Sequence, residues 1–306
     1  MIIAGSPFYS IILPLYNRPR QVSKAISSVL NQTYTNFELI VVDDCSTDNS
    51  YEIVKEINDK RVKIYQLEKN SGPAAARNYG VNKSSGEYIS FLDSDDFYEP
   101  FFLEETNKFV LKATSNIALW YTGLLFHEKG IIKHSYWDAK RMESPYLSFL
   151  HQLQIGTNSG ITIKKDAFVY VNGFNVNLPA AEDTDFFLKF SKYFDFQGIK
   201  TPLINIDRNG DDRLSKKFDK IAIAYNLFIP QHMEVINKYP ILKKKFYYKM
   251  MWLNFHLKDK VKAKYWYDLL KINKLLNYKM VLVYFIYRVL PLTISKRIHV
   301  SISNIK

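Results

Sequence analysis

Three acidic blocks stand at the ends of apolar runs. Asp93-Ser94-Asp95-Asp96 closes the run Tyr88-Ile89-Ser90-Phe91-Leu92 and is followed by Phe97, Tyr98 and Pro100. Asp43-Asp44 closes Phe37-Glu38-Leu39-Ile40-Val41-Val42. Glu182-Asp183 opens a segment in which Phe186, Phe187, Phe190 and Phe194 recur at core spacing. Carboxylates crowded together repel one another unless a cation or ordered hydrogen bonds offset the charge. The turn at Asp93 to Asp96 therefore suits a divalent cation holding a diphosphate. It equally suits an acidic turn that caps the next helix, because aspartate is common at turns and caps. Acids in the first turn of a helix complement its dipole, so Glu182, Asp183 and Asp185 also have a purely structural reading.

The elements that would carry these blocks alternate. Ser10-Ile11-Ile12-Leu13-Pro14 reads as a buried strand ended by proline. Val22, Ala25, Ile26, Val29 and Leu30 then recur at helical spacing. Phe37 to Val42 is a second strand, and Asp48 or Asn49 can cap the helix that follows, Asn49 with Glu52 forming a capping box. Val62-Lys63-Ile64-Tyr65 is a short third strand. Ser71-Gly72-Pro73 opens a third helix, with proline where a missing N–H costs nothing. Strands and helices alternating in this way predict a mostly parallel sheet with helices on both faces. In such sheets ligands lie beyond the carboxyl ends of the strands. That edge would gather Pro14 to Arg18, Asp43-Asp44 and Asp93 to Asp96. From Ile117 the pattern changes: Ile117 to His127 and Ile131 to Trp137 read as strands around a turn at Glu128-Lys129-Gly130. Tyr146 to Leu153 reads as a short helix, Ile161-Thr162-Ile163 as a brief strand and Asn172-Gly173 as a turn.

The 306 residues, 47% hydrophobic, support a real core and argue against global disorder. A single cysteine, Cys45, excludes an internal disulfide and fits a reducing compartment. The first ten residues lack the positive region of a signal peptide, and no stretch reaches the roughly 20 apolar residues that span a bilayer. The charge is uneven. Residues 1–215 hold 23 Lys and Arg against 26 Asp and Glu, whereas residues 216–306 hold 19 against 4. The basicity thus belongs to a tail and calls for its own explanation.

Four blocks, in order and spacing, resemble the family 2 inverting glycosyltransferases of the GT-A fold, which is Rossmann-like. They are Ile11-Ile12-Leu13-Pro14-Leu15-Tyr16-Asn17-Arg18, Val42-Asp43-Asp44-Cys45-Ser46-Thr47-Asp48, Asn70-Ser71-Gly72-Pro73-Ala74-Ala75-Ala76-Arg77-Asn78 and Leu92-Asp93-Ser94-Asp95-Asp96. Glu182-Asp183 matches the place of the family's catalytic acid pair. The resemblance runs from residue 8 to about 215, and it implies a GT-A domain over 1–215 with a basic, aromatic-rich helical appendage over 216–306. It also implies a donor of the UDP-sugar kind and a saccharide acceptor. Tyr16 then packs on the base and Asp43 accepts the uracil N3–H, while Pro14, Asn17, Arg18, Asn70, Arg77 and Ser94 border base and phosphate. Asp95, with Asp93 against the ribose or the water shell, binds Mn²⁺ or Mg²⁺, a Lewis acid for the departing diphosphate. Asp183 takes the acceptor proton as general base, with Glu182 beside it. Asp96 caps the following helix. Thr157-Asn158-Ser159-Gly160 either lines the acceptor side or is a polar turn. Arg213, in Arg208 to Ser215, meets the diphosphate; many relatives have a histidine in this loop, and this chain has none there.

The implied activity is metal-dependent inverting transfer, of the hexosyl type, in bacterial surface polysaccharide synthesis on the cytoplasmic side. The competing class is a non-catalytic sugar-nucleotide or membrane-surface binding protein of the same fold. For the tail, helices are expected at Ile221 to Phe228, Leu242 to Leu257, Val261 to Asn273 and Met280 to Val289. They could pack on the body with lysines in water, dock peripherally on an anionic membrane where a lipid-linked acceptor waits, or self-associate. Nucleic acid is not an expected partner, because no binding motif accompanies the charge.

Overall fold

The computed structural model describes residues 7–137, 142–152, 155, 157–208 and 217–304. The chain divides into two compact units, Met1–Val176 with Glu182–Asp211, and Asn177–Ala181 with Asp212–Lys306.

The first unit is built on one sheet. Its strands are β1 (Tyr9–Leu15), β2 (Phe37–Asp43), β3 (Val62–Gln66), β4 (Tyr88–Phe91), β5 (Phe97–Tyr98), β6 (Ile117–Glu128), β7 (Ile131–Ser135), β8 (Ile161–Lys164) and β9 (Asp195–Asp207). The order is β3-β2-β1-β4-β8-β6-β9-β5, with β7 paired to β6. The parallel arrangement expected from the alternation runs across β3, β2, β1 and β4. Beyond β4 the sheet is mixed: β8 is antiparallel to both β4 and β6, β6 and β9 are parallel, and β5 and β7 pair antiparallel.

Proline does not end β1. Pro14 lies inside the strand, in register with Val42. The Ile12 carbonyl accepts from Leu92, so residues of that parity face β4, and Pro14 falls past the last β1–β4 pair, Ile12 with Phe91. Its missing N–H has no strand to bond there.

Period-two alternation sets the two faces. Tyr9, Ile11, Leu13 and Leu15 of β1 and Phe37, Leu39 and Val41 of β2 share one core with α1 (Val22–Leu30), α2 (Ser50–Lys55) and α4 (Phe102–Val110). On the other face α3 (Pro73–Lys83) lies so close that a Cβ on Gly80 would sit 2.5 Å from the Ile12 side chain and 3.3 Å from Val42. There Phe91 meets Phe168 of α6 (Lys165–Tyr170) and Phe174, and Phe174 meets Phe186 of α7 (Glu182–Phe190) at a ring separation of 4.8 Å. α5 (Pro145–Gln152) contributes Phe149, stacked on Phe187. The turn between β6 and β7 has Lys129 and Gly130 at positive φ, as the sequence placed it.

The expected capping box at Asn49 and Glu52 is not formed. Of the two residues expected to cap, Asp48 does so, accepting from the Ser50 N–H at 2.9 Å, and Asn49 makes no side-chain cap bond.

The second unit is helical: α8 (Phe218–Phe228), a 3₁₀ turn at Ile229–His232, α9 (Met233–Lys238), α10 (Pro240–His256), α11 (Lys260–Ile272), α12 (Tyr278–Val289) and α13 (Leu292–Asn304). Asp259 and Asn277 cap α11 and α12 by accepting from Lys262 and Met280 N–H. The core of this unit joins Tyr247, Met251 and Phe255 of α10 to Ala263 and Leu270 of α11 and Met280, Val283, Tyr284 and Tyr287 of α12. Tyr267 stacks on Tyr284 at 3.9 Å. Among the described residues no helix is long and apolar enough to cross a membrane.

Candidate functional site

The carboxyl ends of β1, β2 and β4 are adjacent because the three strands are parallel neighbours, with Leu15 opposite Asp43. The loops leaving them are stitched together. Asn17 turns the chain in the left-handed region, φ 50°. Its Oδ1 accepts from the Thr47 N–H at 2.8 Å, its Nδ2 donates to Thr47 Oγ1, and its own N–H donates to Ser46 Oγ. The Arg18 N–H donates to Ser50 Oγ at 2.8 Å. The Asn17 side chain thus fixes this loop against the next, and Tyr16 is left 41% exposed at its head.

Asp43 is wholly buried. Its Oδ2 accepts from Ser46 N–H and Gln66 Nε2, both at 3.0 Å, while Oδ1 has no partner among the described residues. Asp44 accepts from Ser71 and Gly72 N–H, each at 2.7 Å, so β2 pins the entrance of α3. Burial raises the Asp44 carboxyl above its usual range, and these two bonds oppose the rise.

α3 delivers Arg77, which is buried. One guanidinium nitrogen lies 2.5 Å from Asp93 Oδ1 and the other 3.2 Å from Glu182 Oε1. Three segments distant in the chain, α3, the turn after β4 and the start of α7, therefore meet at one side chain. Burial works against the Arg77 charge, and the charges of Asp93 and Glu182 outweigh it.

The turn after β4 is held by Ser159. Its hydroxyl accepts from the Asp93 N–H at 3.0 Å and donates to Asp96 Oδ2 at 2.6 Å. Asp96 is therefore not a helix cap. It is buried against Ser159 and also accepts from the backbone of Asp207, and burial with Asp93 and Asp95 nearby drives its carboxyl well up. Its position under the turn, away from the start of α4, is what removes it from the capping role. Gly160 follows at φ +84°, and a Cβ there would strike Ile204, so this block is a buried clamp in a tight space. Ser94 is buried within the turn.

The Asp95 side chain is 41% exposed and its Oδ2 lies 3.8 Å from Arg18 Nε. Crowding by surrounding atoms and then the charge of Asp93 raise its carboxyl, and Arg18 opposes them. Asp207, the last residue of β9, adds to that rise. Asp183 is half-buried beside Glu182 and accepts from the Thr184 N–H at 2.6 Å. Burial, then the charge of Glu182, pushes its carboxyl up to about 6. Asp185 instead faces inward and pairs with Lys189 at 3.0 Å.

Arg18, Arg77, Asp93, Asp95, Glu182 and Asp183 thus form one linked group, and Tyr16, Asn17 and Asp43 lie on the adjoining loops. Asn70 is exposed on the loop before α3. Arg213 lies outside the described residues. Sequence reasoning missed two members, Ser159 as clamp and Asp207 as neighbour of the acidic turn. Asp207 obeys the rule that flags Asp43 and Asp93, an acid where a strand stops, but its strand pairs irregularly and gives no clean alternation to read.

A family model described as Glycosyl transferase family 2 matches residues 10–168. An uncharacterized glycosyltransferase of Haemophilus influenzae is 51% identical over 108 residues, 35% of this chain and 43% of that protein. The UDP-Glc:alpha-D-GlcNAc-diphosphoundecaprenol beta-1,3-glucosyltransferase WfgD of Escherichia coli is 46% identical over 112 residues, 37% of this chain and 44% of WfgD. The chain spans less than half the length of either relative. Among solved structures, S. aureus TarS 1-349 in complex with UDP superposes with a TM-score of 0.58 at 20% identity, covering 84% of this chain and 89% of that one, a likeness of fold.

Proposed function

This chain belongs to glycosyl transferase family 2, and from that premise we propose that it moves a sugar from a UDP-sugar to an acceptor hydroxyl with inversion, in bacterial surface polysaccharide synthesis. The observation that carries the reading is Arg77, which joins the Asp93–Asp95 turn to the Glu182–Asp183 pair. Donor-side and acceptor-side chemistry then share one edge of the sheet. WfgD, by its name, uses a UDP-sugar and an acceptor on a lipid diphosphate, and the same classes are proposed here.

On the donor side, exposed Tyr16 offers a ring face to the base, worth roughly 1–3 kcal/mol. Buried Asp43, with one oxygen unmatched, suits a donor N–H such as that of uracil. The acidic turn fits a hard divalent cation. Asp95 and Asp93 would supply carboxylate oxygens; burial first and then the charge of Asp93 raise the Asp95 carboxyl, and a cation would relieve the second of these. Among the described residues no three His, Cys, Asp or Glu are grouped to hold a metal alone, so Mn²⁺ or Mg²⁺ would draw its other ligands from diphosphate and water. Bound there, the cation would supply Lewis-acid stabilisation of the leaving diphosphate.

On the acceptor side Asp183 is the base. A carboxyl raised to about 6 is ionised at neutral pH yet basic enough to take a hydroxyl proton as that oxygen attacks the anomeric carbon. Attack from the face opposite the diphosphate inverts the centre in one displacement. Arg77 holds Glu182 and Asp93 in place and keeps the donor and acceptor acids from repelling one another apart.

The test is release of UDP from a panel of UDP-sugars with Mn²⁺, with and without saccharide acceptor, for wild type and Asp95→Ala. Cation-dependent release that Asp95→Ala abolishes is expected. Equal release by the two proteins would remove the metal assignment. Binding of UDP without turnover of any sugar would instead support a non-catalytic binding protein.

A further inference from the structure

α12 carries apolar residues on two opposite faces. Met280, Val283, Tyr284 and Tyr287 are buried in the helical unit. The opposite stripe is Tyr278, Leu282, Phe285 and Val289, at spacings of four, three and four, and these side chains are 73%, 46%, 49% and 75% exposed. Leu290 and Ile294 extend it past Pro291. A helix that packs only on a core shows one apolar stripe and a polar back. α12 has a second stripe facing water, and a contiguous exposed apolar strip marks an interaction surface.

The charge around the stripe selects the partner. From residue 269 to the end the chain holds no Asp or Glu but has Lys271, Lys274, Lys279, Arg288, Lys296, Arg297 and Lys306. Lys279 stands beside Tyr278 at one end of α12 and Arg288 at the other, with Lys264 of α11 close enough to Arg288 to feel its charge. Apolar residues along the middle of a helix, cations at its ends and an aromatic at its start are the pattern of a helix lying in a bilayer interface. At 12 residues it is far too short to span.

We propose that the Tyr278–Leu282–Phe285–Val289 stripe of α12 docks on an anionic lipid surface, with Lys279 and Arg288 at the two ends of the helix meeting the headgroups. A neutral apolar partner would leave these cations uncompensated. A second copy of the chain would bring one acid-free, cationic segment against another.

The experiment is co-sedimentation of the full chain with phosphatidylglycerol-containing vesicles and with phosphatidylcholine vesicles, at low and high salt, without any sugar nucleotide. Its outcome is thus independent of catalysis. Two variants accompany wild type: Leu282→Ser with Phe285→Ser, and Arg288→Glu with Arg297→Glu. All four positions are exposed, and thermal melts check that each variant folds. Wild type should pellet with the anionic vesicles and release as salt screens the charge. The serine pair should lower the partition coefficient about tenfold or more at any salt, given the apolar surface removed. The glutamate pair should abolish the preference for anionic lipid, and it decides the question if the serine pair fails to fold. No pelleting of wild type, equal pelleting with both lipids, or variants that bind like wild type would overturn the proposal. So would a dimer in light scattering that the serine pair dissolves while vesicles remain unbound.

Discussion

Replacing Asp183 by Asn should make the protein more stable and the enzyme inert. The Asp183 carboxyl rises from its usual 3.8 to about 6 on folding. Two pKa units at ~1.36 kcal/mol each place roughly 3 kcal/mol of cost on the ionised group. The sign follows from proton counting. Between pH 4 and pH 6 the folded chain keeps a proton that the unfolded chain has released, so stability falls as pH rises through that window. Above pH 6 the full cost stands, and below pH 4 it is absent. Asparagine carries no charge, and its Oδ1 still accepts from the Thr184 N–H. It forfeits a favourable interaction with the dipole of α7, about 0.3–1 kcal/mol. Part of the rise is also shared with Glu182, so the net gain at pH 7.5 should be roughly 1–2 kcal/mol. For a chain of this size that is a rise of about 2–3 °C in Tm. Melts of wild type and Asp183→Asn at pH 7.5 and pH 4, beside transfer assays, make the measurement. A gain at pH 7.5 that vanishes at pH 4, with transfer down by about 10²–10⁴, is expected. A variant no more stable at pH 7.5, or equally stabilised at both pH values, would refute the placement of this carboxylate in a crowded acidic pair.

Other outcomes follow from the same geometry. Arg77→Gln leaves Asp93 and Glu182 without their shared cation; it should cost about 3–5 kcal/mol in a urea melt, and in surviving protein the acid limb of the rate profile should move up from pH 6, because Arg77 holds the Asp183 carboxyl down. Tyr16→Ala should raise the donor KM by roughly 5- to 150-fold with little change in kcat, as expected for loss of one base-stacking face, and a change confined to kcat would count against that role.

The parallel half of the sheet was legible because each strand there is a short apolar run closed by a marked loop. Pro73 showed where α3 begins, and Lys129-Gly130 showed the β6–β7 turn. β9 escaped because its 13 residues include Gly198 and Pro202, and the strand shifts register against β6 at Thr122 and Gly123. Irregular pairing leaves no clean alternation to read, and with β9 unseen its terminal Asp207 went unnoticed. Local spacing offers capping geometry to Asp96 and to both Asp48 and Asn49, but a serine 63 residues away in the chain claims Asp96, and of the other two only Asp48 makes the bond. In the tail α8, α10, α11 and α12 were legible from their apolar patterning, whereas the short α9 and the serine-rich α13 were not. Even so, no pattern could say which stripe of α12 would be covered, since both are apolar.

β8 slots between β4 and β6, and the loop leading into it carries Ser159 to the turn that bears Asp93 and Asp95. That turn therefore waits for a partner synthesised more than 60 residues later. During translation the first three strands can pair as soon as they leave the ribosome, while the acidic turn stays without its serine bonds until the chain has passed Lys164. The half of the fold that assembles early supplies the platform, and the chemistry-bearing bend is finished only when a late arrival threads into the middle of the sheet.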